Sequence, residues 1–288
     1  MGLAMIPLGG GFYHQPGRLP SAHGDQENGA RRTGRRYTTR MSDARPILGI
    51  VGGLGPFSHV EFEGRLLRAA RERGGVRTEQ DFPEWILSSV PQTPDRTAAL
   101  AGAAADPLPW LLRSLHRLTD ADFAVIVCNT AHFVLPRLRE VSPLPLMELV
   151  DETVAFLARH YPGAAVGLLA TSGTLASGLY HQPLAERGLH PVSVLDAADG
   201  ETLQRRLVME PIYGGPSLEG IKLGGPLAEA RPRLEEAARV LVESLGAEVL
   251  LLGCTEISMA LRSPQLLGRP VVDPLDVVAR AAIDRIYG

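Results

Sequence analysis

This sequence has few cysteines, a small net charge and no long apolar segments. Its 288 residues include only two cysteines, Cys128 and Cys254, which is too few for a disulfide framework and fits a reducing compartment. The net charge of −3 argues against nucleic acid or an anionic membrane surface as the main partner. No apolar run approaches the roughly 18 residues that a membrane span requires. These scarcities predict a cytoplasmic protein that binds neither nucleic acid nor membranes.

Lysine is scarcer still. Lysine and arginine together number 29, and only one of these residues, Lys222, is a lysine. We attribute the arginine bias to genome composition rather than to function. Because a compact ammonium and a planar guanidinium make different contacts, the single lysine becomes a candidate functional residue.

Residues 1–40 differ in composition from the rest of the chain. They are rich in glycine, proline and arginine, they carry six arginines against Asp25 and Glu27, and they show no hydrophobic periodicity. A targeting peptide or an anion-binding tail would also be arginine-rich. We interpret residues 1–45 as a disordered extension and exclude it from the fold prediction.

From Pro46 onward, short apolar runs alternate with longer amphipathic stretches. The apolar runs predict strands at 46–53, 84–90, 124–128, 145–150 and 191–197. The amphipathic stretches predict helices at 59–75, 94–106, 108–121, 151–163, 232–247 and 274–288. Strands that alternate with helices imply parallel strands joined by right-handed crossovers, so the expected fold class is α/β.

The two halves of the chain repeat the same order of motifs. The loop GGLGP after the first predicted strand is matched by ATSGT, at an offset of 118 residues counted from Gly49 to Gly167. The segment AVIVCNTAH is matched by EVLLLGCTEI, at an offset of 126 residues counted from Cys128 to Cys254. Two unrelated motifs at similar offsets indicate two doubly wound parallel-sheet domains related by a pseudo-twofold axis.

This repeat also predicts the domain limits and the place of the active site. The first domain would comprise residues 46–150 with the terminal helix 274–288, and the second would comprise residues 151–273. In open α/β sheets, ligands bind beyond the carboxyl ends of the strands. Both cysteines follow a predicted buried strand, so we expect them to flank one interdomain cleft that forms the active site.

Two facing thiols suit proton transfer at a carbon atom. One thiolate can remove a proton from one face while the other thiol returns a proton to the opposite face, which is racemisation by a two-base route. Both cysteines are predicted at strand-to-helix junctions, where free backbone N–H groups should lower a thiol pKa. Asn129, Thr130 and Thr255 beside the cysteines can bind a carboxylate and so stabilise the carbanion between the two steps.

Six motifs in colinear order carry a resemblance to a known family. They are GGLGP (52–56), PDRT (94–97), CNTAH (128–132), ATSGT (170–174), IK-x-G (221–224) and GCTEI (253–257). The combination resembles the cofactor-independent aspartate/glutamate racemase superfamily, and its aspartate racemase branch in particular, over about residues 46–288. The resemblance implies that the two cysteines are the catalytic acid/base pair, without cofactor or metal, in a homodimer that acts on an amino acid.

The resemblance also implies a set of substrate-binding residues. Arg96 and Lys222 would hold the side-chain carboxylate of an acidic substrate, which arginine binds in a bidentate manner. Glu256 would lie in the pocket, and the GGLGP loop would bring Leu54 close to the ligand. The full predicted set is Leu54, Arg96, Asn129, Thr130, Ala131, Thr174, Lys222, Thr255 and Glu256. In the ATSGT loop, the choice among the hydroxyls of Thr171, Ser172 and Thr174 stays open.

Some of these residues have a second interpretation. His132 lies one helical turn after Cys128, where it either tunes the thiol pKa or merely packs. Cys128 and His132 also have the spacing of two zinc ligands, but a structural zinc site needs four ligands and only Glu256 lies close to Cys254. The glycine loop lacks the spacing of a dinucleotide-binding fingerprint.

The predicted function is racemisation of an acidic amino acid, with aspartate as the first candidate and glutamate or a broader set behind it. One alternative is a glutamate racemase or another isomerase of the same superfamily. Another is a pyridoxal phosphate racemase with Lys222 as its Schiff-base lysine. A third is a non-catalytic, two-lobed amino-acid binding protein.

Overall fold

The alternation of apolar and amphipathic segments produces two sheets, each made of strands from one half of the chain. The computed structural model describes residues 45–288, and the extension predicted at 1–45 lies outside these residues except for its last one. The strands in this part of the chain are β1 (Leu48–Gly52), β2 (Trp85–Ser89), β3 (Phe123–Ile126), β4 (Leu146–Met147), β5 (Ala165–Ala170), β6 (His190–Ser193), β7 (Val249–Gly253), β8 (Gln265–Leu266) and β9 (Arg269–Val272).

Helices connect most of these strands. They are α1 (Pro56–Arg73), α2 (Arg96–Leu100), α3 (Leu108–His116), α4 (Leu135–Val141), α5 (Leu149–His160), α6 (Ser172–Ala176), α7 (His181–Glu186), α8 (Gly200–Leu203), α9 (Glu210–Tyr213), α10 (Leu227–Arg239), α11 (Thr255–Ala260) and α12 (Pro274–Tyr287). The π-helical segments Gln204–Met209 and Val240–Ser244 continue α8 and α10. Within residues 45–288, no helix is both long and apolar enough to cross a membrane.

The two sheets share the arrangement of their first three strands. The strand order is β2-β1-β3-β4 in one sheet and β6-β5-β7-β9-β8 in the other. All neighbouring strands are parallel except β8, which runs antiparallel to β9. In both halves the first strand lies between the second and the third, so the predicted α/β fold is confirmed and the motif repeat corresponds to a repeat in topology.

This strand order determines which loops meet. Since β1 and β3 are adjacent and parallel, the GGLGP and CNTAH loops leave the same edge of the first sheet. Since β5 and β7 are adjacent and parallel, the ATSGT and GCTEI loops do the same in the second sheet. Each cysteine therefore lies beside a small-residue loop of its own half.

The terminal helix returns to the first half of the chain. Helix α12 packs against α1 and α5. Asp273 caps α12 by accepting the N–H of Leu275, and Pro274 occupies the first helical position, where a missing N–H costs nothing. Residues 45–288 belong to one compact unit, and α5 runs across the predicted domain boundary at 150 and 151. The domain limits therefore stay a prediction.

Several elements are shorter than predicted: the helix predicted at 108–121 ends at His116, and the strand predicted at 191–197 ends at Ser193. Two further elements have a visible local cause. The helix predicted at 94–106 stops at Leu100, because Gly102 takes a φ of 73°. The N–H of Gly102 then bonds to Ala99 O, and that of Ala103 to Ala98 O, as in a Schellman motif. The strand predicted at 145–150 is only two residues long, since α5 already starts at Leu149.

Candidate active site

The GGLGP loop after β1 is fixed by a close backbone contact and a histidine. Gly53 has a φ of 84°, and a Cβ at this position would lie 2.6 Å from the backbone nitrogen of Val90. The N–H of Gly53 donates to Nδ1 of His59 at 3.2 Å. Burial lowers the pKa of His59, which favours the neutral ring whose Nδ1 can accept this bond. The close contact and the hydrogen bond restrain the backbone at Gly53, next to Leu54.

Gly53→Ala is expected to destabilise the protein by about 2 kcal/mol or more, because left-handed strain adds to a clash with backbone atoms. Gly102→Ala is the matched control: Gly102 has a φ of 73°, but an added Cβ there meets nothing within 4 Å. The control should lose only about 1 kcal/mol, the cost of a left-handed backbone without a clash. Urea unfolding of both variants measures the difference, and equal losses would contradict the clash.

Cys128 follows β3, just before a 3₁₀ turn at Thr130–Val134. Its carbonyl oxygen accepts a hydrogen bond from Nδ1 of His132 at 2.9 Å. Because a carbonyl oxygen only accepts, the imidazole proton lies on Nδ1. Burial lowers the pKa of His132 and favours a neutral ring. Of the two interpretations of His132, this geometry supports a packing role that fixes the backbone of Cys128.

Cys254 is the N-cap residue of α11, and its thiol donates to Oε2 of Glu256 at 3.0 Å. The hydroxyl of Thr255 donates to the same carboxylate oxygen at 3.1 Å. Burial, followed by the charge of Glu256, raises the pKa of Cys254 well above its ordinary value. The prediction that a helix N-terminus lowers the thiol pKa is wrong for Cys254, since desolvation and an adjacent anion outweigh a six-residue helix.

Glu256→Gln is expected to lower the pKa of Cys254, because the amide removes the negative charge that opposes the thiolate. Deprotonation with rising pH should then begin at a lower pH. Lys222→Met is the opposing control: Lys222 lowers this pKa, so its loss should move deprotonation to a higher pH. A thiolate absorbance titration in a Cys128→Ser background follows Cys254 alone. Shifts of both variants in the same direction would contradict the assignment.

A buried polar network anchors α11 behind Cys254. Ser258 donates to Oδ1 of Asp273 at 2.9 Å, and Nη1 of Arg65 lies 2.6 Å from the other oxygen of Asp273. The hydroxyls of Ser58 and Thr255 are hydrogen-bonded at 2.7 Å. Burial raises the pKa of Asp273 to about 6, although Arg65 opposes this. The network joins α1, α11 and the start of α12, and it fixes the helix that Cys254 caps.

Arg96, the first residue of α2, is buried and held by main-chain carbonyls. Its Nη1 donates to Thr93 O and Pro94 O at 3.2 and 3.0 Å, and its Nη2 donates to Leu54 O at 2.6 Å. Burial opposes the charge, but the neighbouring Cys128 and Asp95 side chains outweigh it and raise the pKa of Arg96. A permanent cation therefore lies beside Cys128 and also ties down the GGLGP loop.

Lys222 lies between an aspartate and an aromatic ring. Its Nζ is 3.2 Å from Oδ2 of Asp95 and 4.2 Å from the centroid of the Tyr213 ring. The Tyr213 hydroxyl donates to Asp95 Oδ2 at 3.1 Å. Burial lowers the pKa of Lys222, but nearby anions, with Glu256 first, outweigh it and raise the pKa. Burial raises the pKa of Tyr213 to about 12, so this residue is a neutral donor.

One small cavity collects residues from these loops. It is lined by Leu54, Arg96, Cys128, Asn129, Thr130, Thr171, Tyr213, Lys222, Cys254, Thr255 and Glu256. It brings together both predicted catalytic cysteines and all but two of the predicted substrate-binding residues. The exceptions are Ala131, which lies in the apolar core, and Thr174, whose hydroxyl is hydrogen-bonded to that of Thr130 at 2.8 Å.

Two residues around the cavity were absent from the predicted site. Tyr213 lies in none of the six motifs, and its position nine residues before the only lysine is the one sequence signal that could have indicated it. Asp95 precedes Arg96 inside the PDRT motif, so its place in the motif was a signal that the prediction did not use. In the ATSGT loop, it is Thr171 that lines the cavity.

Three buried side-chain atoms of cavity-lining residues have no hydrogen-bond partner. Nε of Arg96 and Nδ2 of Asn129 are donors, and Oε1 of Glu256 is an acceptor. Tyr180 donates to Oδ1 of Asn129 at 2.5 Å, which fixes the amide and leaves its amino group free. Buried polar atoms are normally hydrogen-bonded, so such atoms indicate where a ligand binds. Two donors and one acceptor suit the carboxylate and ammonium groups of a zwitterion.

The geometry gives little support for a metal site among the described residues. Within residues 45–288, no group of three or more histidine, cysteine or acidic side chains is arranged to hold a metal ion. Cys128 and His132, which have the spacing of a ligand pair, are instead connected through the carbonyl oxygen of Cys128.

The fold and the cavity define an α/β protein whose small polar pocket is lined by two thiols. Residues 51–282 match the Asp/Glu/Hydantoin racemase family, and the chain belongs to that family. The resemblance recognised in the six sequence motifs is thereby confirmed. The match includes all six motifs and both cysteines.

Individual racemases are similar to this chain in structure or in sequence. The chain is similar in structure to an aspartate racemase from Picrophilus torridus, with a TM-score of 0.69 and 25% identity over 83% of this chain and 93% of that one. It is 26% identical over 148 residues to the broad specificity amino-acid racemase RacX of Bacillus subtilis, covering 49% of this chain and 62% of RacX. It is 29% identical over 174 residues to a glutamate racemase from Desulforudis audaxviator, covering 56% and 55%. The matched part spans less than two thirds of the latter two relatives.

Proposed function

We propose that the protein is a cofactor-independent racemase of an acidic amino acid, aspartate first, in which Cys128 and Cys254 are the two acid/base groups. The observation that carries the proposal is the set of unpartnered atoms on Arg96, Asn129 and Glu256. These atoms belong to a cavity that both cysteines line. A zwitterion bound to them would place its α-carbon near the two thiols.

Each part of the substrate has a matching partner. The free amino group of Asn129 and the hydroxyl of Thr130 would bind the α-carboxylate, and Oε1 of Glu256 would accept from the ammonium group. Nε of Arg96 and Nζ of Lys222 would bind the side-chain carboxylate. Charge that develops on the α-carboxylate during proton removal would be stabilised by these fixed donors.

Two thiols account for both proton transfers of a racemisation. The thiolate of one cysteine takes the α-proton, and the thiol of the other gives its proton to the opposite face of the carbanion. Turnover therefore leaves the two cysteines with exchanged protonation states. The raised pKa of Cys254 and its bond to Glu256 support an enzyme form in which Cys254 is the acid, which assigns the role of base to Cys128.

The aspartate branch is supported by the structural similarity to the Picrophilus torridus aspartate racemase. The Bacillus subtilis relative is named for broad specificity, which leaves other amino acids as substrates to test. By the same family argument we propose a cytoplasmic homodimer with two domains, 46–150 plus 274–288 and 151–273. Sedimentation of the purified protein tests the dimer.

The test of the proposal is incubation of the purified protein with L-amino acids in deuterium oxide, with no cofactor added. We expect aspartate to gain deuterium at the α-carbon and to give the D-enantiomer. Binding without deuteration would identify an amino-acid binding protein instead. Activity that depends on added pyridoxal phosphate, with an absorbance band from an aldimine on Lys222, would support the Schiff-base alternative.

A further inference from the structure

Carboxylates offset the cationic side chains around the cavity before a substrate binds. Arg96 and Lys222 supply two cations, and Glu256 and Asp95 supply two carboxylates. Two cations alone would create a positive field that favours an acidic substrate. Asp95 offsets one of them from a distance of 3.2 Å to Nζ of Lys222. The resting site therefore selects for negative charge less strongly than its arginine and lysine suggest.

Asp95 is held in place by bonds that do not depend on Lys222. It is the N-cap residue of α2, and its Oδ1 accepts from the N–H of Ala98 at 2.9 Å. The hydroxyl of Tyr213 donates to its Oδ2. Burial opposes the charge, but Lys222 and the Ala98 N–H outweigh it and lower the pKa of Asp95. Asp95 is therefore a fixed anion that stays beside Lys222 when a ligand enters.

A substrate side chain that reaches Lys222 meets this fixed anion. The distal carboxylate of aspartate would share the ammonium with Asp95 and would lie close to a like charge. The amide of asparagine has nearly the same shape but carries no charge, so it avoids the repulsion. Lys222 is only 16% exposed and Asp95 is 33% exposed, so solvent screens the pair only in part.

We propose that Asp95 is a specificity-determining residue, which shares Lys222 with the substrate side chain and thereby restrains the preference for acidic over uncharged amino acids. This inference rests on the proposed racemase function. It extends the substrates to be tested from acidic amino acids to their uncharged amides. Removal of the Asp95 charge would strengthen the selectivity for acidic substrates.

The test compares kcat/KM for aspartate and asparagine in the unsubstituted protein and in Asp95→Asn. Asparagine is also a good N-cap residue, so α2 and Arg96 should keep their places. We expect the aspartate-to-asparagine ratio of kcat/KM to rise by about ten-fold, mainly through a lower KM for aspartate, because the anion beside Lys222 is removed. Asp95→Ser, which can also cap α2, provides a second removal of the charge.

Two control variants separate the charge effect from other changes. Lys222→Met removes the cation and should lower the same ratio. Asp120→Asn removes a charge from an exposed residue outside the cavity and should leave the ratio unchanged. An unchanged ratio in both Asp95 variants, with racemisation intact, would overturn this inference alone. Absence of racemisation in the unsubstituted protein with every amino acid would instead overturn the proposed function.

Discussion

Cys128→Ala and Cys254→Ala are each expected to lower kcat for aspartate racemisation by about 10²- to 10⁴-fold, the usual contribution of a positioned acid or base. The two cysteines follow β3 and β7, so they come from different halves of the chain and line one cavity. A two-base mechanism needs both, because each serves one face of the α-carbon. Polarimetry of L- and D-aspartate measures the loss in both directions.

The two variants should also differ from each other. The cysteine that remains can still remove a proton from the enantiomer whose α-hydrogen faces it. Deuterium wash-in without inversion should therefore be faster for one enantiomer in Cys128→Ala and for the other in Cys254→Ala. Unfolding midpoints close to that of the unsubstituted protein would show that the fold is intact. Near-native turnover in either variant would contradict the catalytic assignment.

Arg96→Lys is expected to lower kcat/KM by about 10²- to 10³-fold, the scale seen when one fixed donor is removed from a catalytic site. The guanidinium donates to three main-chain carbonyls and still presents a free Nε at the cavity. An ammonium cannot reproduce this fork. The bond to Leu54 O would also be lost, and with it the anchor of the GGLGP loop.

The control for Arg96→Lys is Arg113→Lys, which makes the same change at an exposed position on α3. It should leave kcat/KM unchanged. Steady-state kinetics with aspartate checks both variants. Unchanged activity of both variants would contradict the proposal that Arg96 binds the substrate, and so would an equal loss in both.

The architecture was predictable from the sequence because it depends on periodicity and order. Apolar runs alternating with amphipathic stretches predicted the α/β fold, and the two repeated motif pairs predicted a repeat that the two sheets show in their strand order. That order places each cysteine beside the small-residue loop of its own half, since parallel neighbours end at the same edge. Helix ends were harder to predict from the sequence, because the left-handed conformation of one glycine, Gly102, decides where α2 stops.

The electrostatics of the site were not predictable in the same way. A helix N-terminus is visible in sequence, but the depth at which Cys254 is buried and the direction of the Glu256 carboxylate depend on tertiary packing. The ion pair of Lys222 with Asp95 joins residues 127 positions apart, and no periodic pattern indicates it. His132 likewise could be interpreted in two ways until its bond to the Cys128 carbonyl was known.

The measurement that tests the two-cysteine mechanism most directly is the isotopic content of the first product formed from L-aspartate in deuterium oxide. The protonating thiol exchanges with solvent before substrate binds, so the mechanism predicts D-aspartate that carries one deuterium at the α-carbon from the earliest time points. Mass spectrometry of the separated enantiomers gives this result. Early D-aspartate that retains the substrate's own hydrogen would indicate a single base and would contradict the assignment of opposed roles to Cys128 and Cys254.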